Sequence, residues 1–185
     1  MMKKIFTMII CLTIATGAFA QEKGFTWGVK AGLNLADMIG KDVDGTKMKA
    51  GFNAGIVTEF ALSEKFSVGP ELVYSLQGCK MGDAKYNASY INLPIMAKYY
   101  VIDKLSINLG PQFGYLAGLK TKVGSESVKV DKSMYNKFDV AIGIGATYNF
   151  GMIFADARYN WGMTNVLKGG KNKNSVIQIG VGCKF

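Results

Sequence analysis

The segment VIQIGVGCKF, residues 176–185, carries the clearest fold signal in this sequence. Counting back from Phe185, every second residue is apolar, and glycine or a polar residue stands between them. The apolar residues are Ile177, Ile179, Val181 and Cys183. A two-residue period predicts a β-strand with one apolar and one polar face. Chain termini are usually polar and frayed, so this apolar strand is expected to pair with another strand along its length.

The first 20 residues follow a different pattern from the rest of the chain. Lys3 and Lys4 precede the apolar stretch IFTMIICLTI, and the small residues AFA stand at 18–20. This pattern predicts a secretory signal peptide at 1–20 and an exported domain at 21–185. A buried N-terminal helix is the alternative interpretation of the same residues. After the leader, no apolar run approaches the ~18 residues that a membrane-spanning helix needs.

Alternation recurs along the whole exported part and predicts eight strands. They cover 25–37, 50–62, 66–80, 88–101, 105–120, 137–150, 152–166 and 175–185. Short connections at 63–65, 102–104 and 151 alternate with longer ones, which are 38–49, 81–88, 121–136 and 167–174. The longer loops therefore all emerge at one end. An even number of strands with short turns at one end and long loops at the other is typical of membrane barrels.

The two faces of these strands differ in composition. One face is aliphatic and aromatic without a charged residue, and we expect it to point outward. The other face is rich in glycine, asparagine, serine and glutamine. A soluble eight-stranded barrel with an apolar interior is the alternative, but its outer face should be dense in lysine, glutamate and threonine. Aromatic residues near the strand ends are typical of interfacial girdles; they are Trp27, Phe60, Phe66, Tyr99, Phe150, Trp161 and Phe185.

Four segments together resemble a known family. They are YINLPIMAKYYV (90–101), LSINLGPQFGYLAG (105–118), FDVAIGIGATYNF (138–150) and ARYNWGMTNV (157–166). They are similar to the outer-membrane β-barrel domain family, often described as porin-family or PorT-like small barrels of Gram-negative bacteria. The resemblance spans essentially the whole exported part. It implies an eight-stranded antiparallel up-and-down barrel in the outer membrane with periplasmic termini, and it implies no catalytic residue.

The charged residues of the inward face balance in number. Four are basic and four are acidic: Lys30, Lys98, Arg158 and Lys184 against Glu59, Glu71, Asp139 and Asp156. Buried charges are expected to pair, and an eight-stranded barrel is just wide enough for side chains to fill it. The sequence therefore predicts a lumen filled by a charge network rather than a steady open pore. A gated proton or ion path along the same charges is the alternative.

The excess positive charge lies on the long loops. Without Lys3 and Lys4, 20 of the 22 basic residues remain against 13 acidic ones, which gives the exported part a charge of +7. The candidate extracellular residues are Lys120, Lys122, Lys129, Lys132, Lys168, Lys171 and Lys173. Two kinds of partner would fit these lysines. One is outer-membrane lipid, including anionic lipopolysaccharide, and the other is an anionic extracellular ligand such as a glycan or an acidic protein. Nucleic acid would bind only non-specifically, because no recognition fold is present.

The C-terminal strand also resembles an assembly signal. Ile177, Ile179, Val181 and Phe185 match the alternating pattern with a final aromatic residue by which outer-membrane barrels are recognised for assembly. Cys183 departs from it, because an aromatic or aliphatic residue is commoner there. The resemblance implies the barrel-assembly machinery as a partner.

The absence of histidine limits the chemistry available to this chain. Ser-His-Asp and Cys-His nucleophiles and His-ligated metals all need that residue, and the inward carboxylates have Lys or Arg available as partners. We therefore expect no enzyme activity, metal or cofactor. Cys79 and Cys183 are expected at opposite ends and on opposite faces, beyond the ~7 Å that a disulfide allows. The sequence favours a structural or surface-interaction barrel, with a small-solute or ion pore as the alternative.

Overall fold

The computed structural model describes residues 24–40, 46–82, 84–123, 126–129 and 132–185. The predicted signal peptide at 1–20 lies outside these residues. Within them the chain forms ten β-strands and one 3₁₀ turn, Lys132–Met134. The strands are β1 Phe25–Gly40, β2 Thr46–Ala61, β3 Phe66–Gln77, β4 Cys79–Met81, β5 Ala84–Ile102, β6 Leu105–Val123, β7 Glu126–Lys129, β8 Phe138–Phe150, β9 Ile153–Gly162 and β10 Asn172–Lys184. In the described ranges, no helix is long and apolar enough to cross a membrane.

The strands form one closed antiparallel barrel with eight walls. In order around the barrel, the walls are β1, β2, β3 with β4, β5, β6, β8, β9 and β10, and β10 pairs again with β1. β4 shares a wall with β3, because both strands pair with β2 and β5. β7 pairs with β6 beyond the barrel. The predicted eight-stranded antiparallel barrel is confirmed.

The barrel closes between its first and last strands. β1 and β10 pair continuously from Gly28 opposite Lys184 to Gly40 opposite Asn172. Beyond this ladder, the Phe185 amide donates to the Trp27 carbonyl at 2.7 Å, and the two rings lie 5.1 Å apart. The apolar C-terminal strand is therefore paired along its length, as predicted. We call the end that holds Phe185 and the short turns the terminal end, and the opposite end the loop end.

The strands run further toward the loop end than predicted. β1 continues to Gly40, β2 begins at Thr46, β5 begins at Ala84 and β6 ends at Val123, so much of the predicted loop sequence is strand. The predicted boundaries are wrong because apolar alternation marks only the part of a strand beside an apolar medium. The backbone ladder continues wherever a neighbouring strand supplies hydrogen bonds.

Two other strand predictions need correction. The predicted third strand, 66–80, is interrupted at Gly78, whose φ of +131° favours glycine. The predicted seventh strand, 152–166, already ends at Gly162. Residues 163–166 instead lie in the connection to β10, where the Val166 amide donates to the Asn172 carbonyl at 2.8 Å.

The two predicted faces are present along the barrel. Outward residues such as Leu33 and Ile179 are 67% and 58% exposed, whereas inward residues such as Asn34 and Ser106 are fully buried. The outer face is therefore apolar and the interior polar, which is the reverse of a soluble barrel.

Aromatic residues mark both edges of the apolar outer face. At the loop end, Tyr74, Ile91, Tyr115 and Phe138 lie directly opposite one another on four consecutive walls. We call these four residues the upper girdle. At the terminal end, Phe66 and Tyr99 have ring centroids 5.0 Å apart. From Ile91 to Tyr99, β5 contributes nine residues, which fits the ~9–11 that a membrane-crossing strand needs.

Candidate functional site

Glu71 connects opposite walls of the barrel through the lumen. Its Oε1 accepts a hydrogen bond from Arg158 Nη2 at 2.7 Å, and its Oε2 accepts one from Nη1 at 3.0 Å. Lys30 Nζ donates to the same Oε2 at 2.8 Å. Glu71 lies on the third wall and Arg158 on the seventh of eight, so this two-pronged ion pair spans the diameter. We call Lys30, Glu71 and Arg158 the central bridge.

A second cluster centres on Glu59 near the terminal end. Its Oε2 accepts hydrogen bonds from Lys98 Nζ and Lys184 Nζ, both at 2.8 Å. Its Oε1 accepts from the Ser67 hydroxyl at 2.7 Å and from the Tyr100 hydroxyl. Lys98 on the fourth wall and Lys184 on the eighth also lie opposite each other. A second charged layer therefore crosses the lumen.

An aromatic ring adds to this layer. Phe154 is 4% exposed, and Lys184 Nζ lies 5.3 Å from its ring centroid, within cation–π range. A Cβ at Gly182 would stand 2.3 Å from Phe154 Cζ, so the ring occupies space that only glycine leaves. Gly182 thus allows an apolar ring to fill the interior beside the charges.

Two of the predicted lumen charges lack a direct ion pair within about 3 Å. Asp139 accepts hydrogen bonds from the Thr164 hydroxyl at 2.6 Å and from Asn174 Nδ2 at 3.2 Å, and no ion pair of the described side chains includes it. Asp156 lies 3.8 Å from Lys30 Nζ. The expectation of matched pairs is therefore wrong for Asp139, because the strand register brings it a hydroxyl and an amide in place of a cation.

A layer of amides lies between the central bridge and the loop end. Asn34 Oδ1 accepts hydrogen bonds from Asn53 Nδ2 at 2.7 Å and Gln178 Nε2 at 3.1 Å. Asn34 Nδ2 donates to the Ser75 hydroxyl at 2.9 Å, and Asn160 Nδ2 donates to Gln178 Oε1 at 3.0 Å. Such residues were predicted to lie inside the barrel, but their hydrogen-bonded network was not. Their inward position along each strand is the signal that could have identified them.

A buried apolar cluster, which we call the apolar cap, lies at the loop end of the barrel. Its buried members are Ala88, Tyr90, Leu116, Leu119, Tyr135 and Val166, with Met38 and Leu167 packed against them. The connection before β8 reaches the connection before β10 through a Tyr135–Leu167 bridge and a hydrogen bond from the Lys168 amide to the Met134 carbonyl at 2.9 Å. This cap was not predicted, because Tyr135 and Val166 lie in connections that carry no alternating pattern.

The terminal end instead opens into a cavity of about 520 Å³. Thr26, Glu59, Tyr100, Asn149 and Lys184 are among the residues that line it. The charged layer around Glu59 therefore forms its inner wall. Beyond this cavity, toward the loop end, lie the Glu59 cluster, the central bridge and the apolar cap.

The predicted loop lysines lie mostly on strand extensions. Lys120 and Lys122 lie on β6, Lys129 on β7 and Lys173 on β10, while Lys132 begins the 3₁₀ turn. Lys168 and Lys171 lie in the connection between β9 and β10. Lys122, Lys129 and Lys173, which the predicted boundaries put in loops, therefore lie on strands, for the reason given for the strand ends. All seven remain at the loop end.

The C-terminal residues form an apolar outer stripe. Ile179, Val181 and Phe185 are 58%, 61% and 56% exposed, and Ile177 is half-buried on the same face. This stripe runs along the strand that closes the barrel.

The cysteines and acidic residues form neither a disulfide nor a metal-binding cluster in the described structure. Cys79 and Cys183 are both free. Burial raises the pKa of the Cys79 thiol, which lies beyond the upper girdle, to about 11, so the thiolate is scarce at neutral pH. Within the described residues, no three His, Cys, Asp or Glu side chains gather so as to hold a metal ion.

A family model described as outer membrane protein beta-barrel domain matches residues 19–168, which is more than half of the chain. No curated protein matches the sequence.

Solved structures of small barrels have a similar fold. Ail, the attachment invasion locus protein of Yersinia pestis, is 17% identical over 89% of this chain and 100% of its own, with a TM-score of 0.56. Neisserial surface protein A is 13% identical over 86% of this chain and 97% of its own, with a TM-score of 0.57. Ail is also solved with the heparin analogue sucrose octasulfate, at 17% identity over 88% and 99% of the chains and a TM-score of 0.55. At these identities the likeness shows the fold alone.

Proposed function

Given that this chain belongs to the outer membrane protein β-barrel domain family, we propose that it is a structural or surface-interaction barrel. Its lumen is filled by side chains, and its basic loop end faces outward and meets anionic partners. The terminal end faces the periplasm. Ile177, Ile179, Val181 and Phe185 serve as the signal that the barrel-assembly machinery reads.

The central bridge is the observation that carries the filled lumen. An arginine–carboxylate pair with two parallel hydrogen bonds is fixed in both distance and angle. Because Arg158 and Glu71 approach from opposite walls, the pair blocks the middle of the cross-section. The Glu59 cluster below it and the apolar cap above it add two further layers. A solute would have to separate all three layers to cross.

The pore alternative is supported by the cavity at the terminal end. Its volume of about 520 Å³ would admit small solutes, and its wall carries Glu59 and Lys184, a pair of opposite charge that could guide ions. Conduction would then require rearrangement of the central bridge. The buried ion pairs oppose this, because separating one leaves an uncompensated charge in the interior.

The outward role is supported by the distribution of charge. The eight charged residues predicted to face inward balance, so the positive excess of the exported part lies at the loop end. Lysines there attract phosphate and sulfate groups by long-range electrostatic forces, which act before any contact forms. A barrel of the same fold, Ail, has been solved with a sulfated heparin analogue, which adds weight to an anionic partner here.

Retention on a sulfated polysaccharide column tests this role. We expect the folded protein to elute at high salt, and a variant with Lys120→Gln and Lys168→Gln to elute earlier, because each neutralised lysine removes attraction to the anionic surface. The matched control is Lys65→Gln with Lys104→Gln, which removes two exposed lysines from the short turns at the terminal end. Equal effects of both pairs would contradict the proposal, since net charge alone would then account for retention.

A further inference from the structure

Four exposed lysines form a row across neighbouring strands at the loop end. Lys47 on β2 lies opposite Lys80 on β4, Lys80 lies opposite Lys85 on β5, and Lys85 lies opposite Lys122 on β6. We call these four residues the lysine row. Residues directly opposite each other in adjacent strands point to the same face of a sheet. The row therefore places four lysines side by side on strands that are spaced about 5 Å apart.

This arrangement is unfavourable unless an anion is present. Like charges directly opposite each other destabilise a sheet, and natural sheets usually place opposite charges in such positions. No ion pair among the described side chains includes a member of the row. Lys49 lies near the row. Burial lowers its pKa, and the positive charge of Lys80 lowers it further. Asp83 lies outside the described residues.

The row lies on the outer face of the barrel, above the upper girdle. Lys85 is six residues from Ile91, so alternation puts both on the same face, and Ile91 is 46% exposed on the outer face. On the neighbouring wall, Lys80 is likewise six residues from Tyr74, which lies on the outer face. Lys80 and Lys85, together with Lys122 opposite Lys85, therefore point away from the barrel axis, toward the layer that surrounds the barrel. Lys47 is exposed beside Lys80.

The height of the row selects among anionic groups. Six residues span ~20 Å along a strand, and a strand tilt of ~40° places the row roughly 15 Å above the girdle. Phospholipid headgroups extend only about 5–8 Å beyond the hydrocarbon on each side. The sugars of a large glycolipid headgroup reach further.

We propose that the lysine row binds the phosphate groups on the core sugars of lipopolysaccharide in the surrounding outer leaflet. The phosphates replace the missing counter-charges of the row, and the upper girdle below it contacts the acyl boundary. This inference rests on the proposed function, because it requires the loop end to face outward. It adds a defined site and a defined lipid headgroup to that role.

The test compares two pairs of neutralised lysines in a titration with labelled lipopolysaccharide. The protein, folded in zwitterionic micelles, is titrated with lipopolysaccharide carrying a phosphorylated core, and anisotropy gives the Kd. We expect Lys80→Gln with Lys85→Gln to raise the Kd roughly tenfold or more, since each lysine near an anionic surface contributes separately. The control, Lys65→Gln with Lys104→Gln, makes the same charge change in the short turns at the terminal end of the barrel and should change the Kd less than about twofold.

Further arms identify the ligand. Wild-type protein titrated with dephosphorylated lipopolysaccharide should bind as weakly as the row variant, and Lys80→Arg with Lys85→Arg should restore binding. The gel shift of the folded barrel on heating verifies that each variant has folded.

Several results would overturn the inference. Two of them are an unchanged Kd for lipopolysaccharide in the row variant and an equal rise of this Kd in the control variant. The others are an equal effect of the row substitutions on binding of phosphatidylglycerol, and an effect that is seen with soluble sucrose octasulfate but not with lipopolysaccharide. The inference and the proposed function fail separately. If the row variant keeps its Kd while Lys120→Gln with Lys168→Gln loses column retention, only the row site is wrong; if neither changes, the outward role is wrong as well.

Discussion

Glu71 serves two buried cations with one carboxylate, and its replacement is the sharpest test of a single residue. Glu71→Ala would leave Arg158 and Lys30 without a partner inside the barrel. Removing one member of a buried ion pair costs about 3–5 kcal/mol, so the free energy of unfolding should fall by this amount. Urea unfolding of the barrel from phospholipid vesicles measures the difference.

Glu64 supplies the matched control for Glu71→Ala. It is an exposed glutamate in the short turn between β2 and β3, so Glu64→Ala should change the free energy of unfolding by no more than about 0.5 kcal/mol. A loss below about 1 kcal/mol for Glu71→Ala would contradict the account of the central bridge.

At the level of elements, the apolar cap is held by two connections that meet above the lumen. The double change Tyr135→Ala with Val166→Ala removes buried side chains from both and should loosen the cap by about 2–5 kcal/mol. Because the barrel ladder does not depend on these contacts, the effect should stay local. Limited proteolysis should therefore cut the loop end faster, while the folded barrel keeps its gel shift.

The exposed neighbour Met134 provides the comparison for the cap. It lies in the 3₁₀ turn and is 67% exposed, so Met134→Ala should leave the cleavage rate near that of the wild type. Loss of the whole barrel in the cap variant would mean that the cap and the barrel are one cooperative unit.

The elements also show what sequence patterns can and cannot predict. Alternation identified all eight walls, because each crosses an apolar layer that requires one apolar face. It could not locate the ends of β1, β2, β5 and β6 toward the loop end, where the outer face leaves the apolar layer and the pattern disappears. It also missed the cap, since Tyr135 and Val166 lie in connections with no period to read.

At the scale of the whole molecule, the inward charges could be identified from sequence but their partners could not. The alternation of residues along each strand places Glu71 and Arg158 inside the barrel. Only barrel closure and strand register show that they face each other across the diameter. The same register leaves Asp139 with Thr164 and Asn174. The lysine row is likewise a product of register, since its members are spread from residue 47 to residue 122.

The central claim is that three layers close the lumen: the Glu59 cluster, the central bridge and the apolar cap. Single-channel recording of the folded protein in planar bilayers tests it most directly, with the gel shift on heating as evidence of folding. A variant with Lys30→Ala, Glu71→Ala and Arg158→Ala, which empties the middle layer, is recorded beside it. We predict a silent wild-type barrel and a higher leak in the variant; stable, reproducible conductance steps from the wild type would contradict the account and favour a pore.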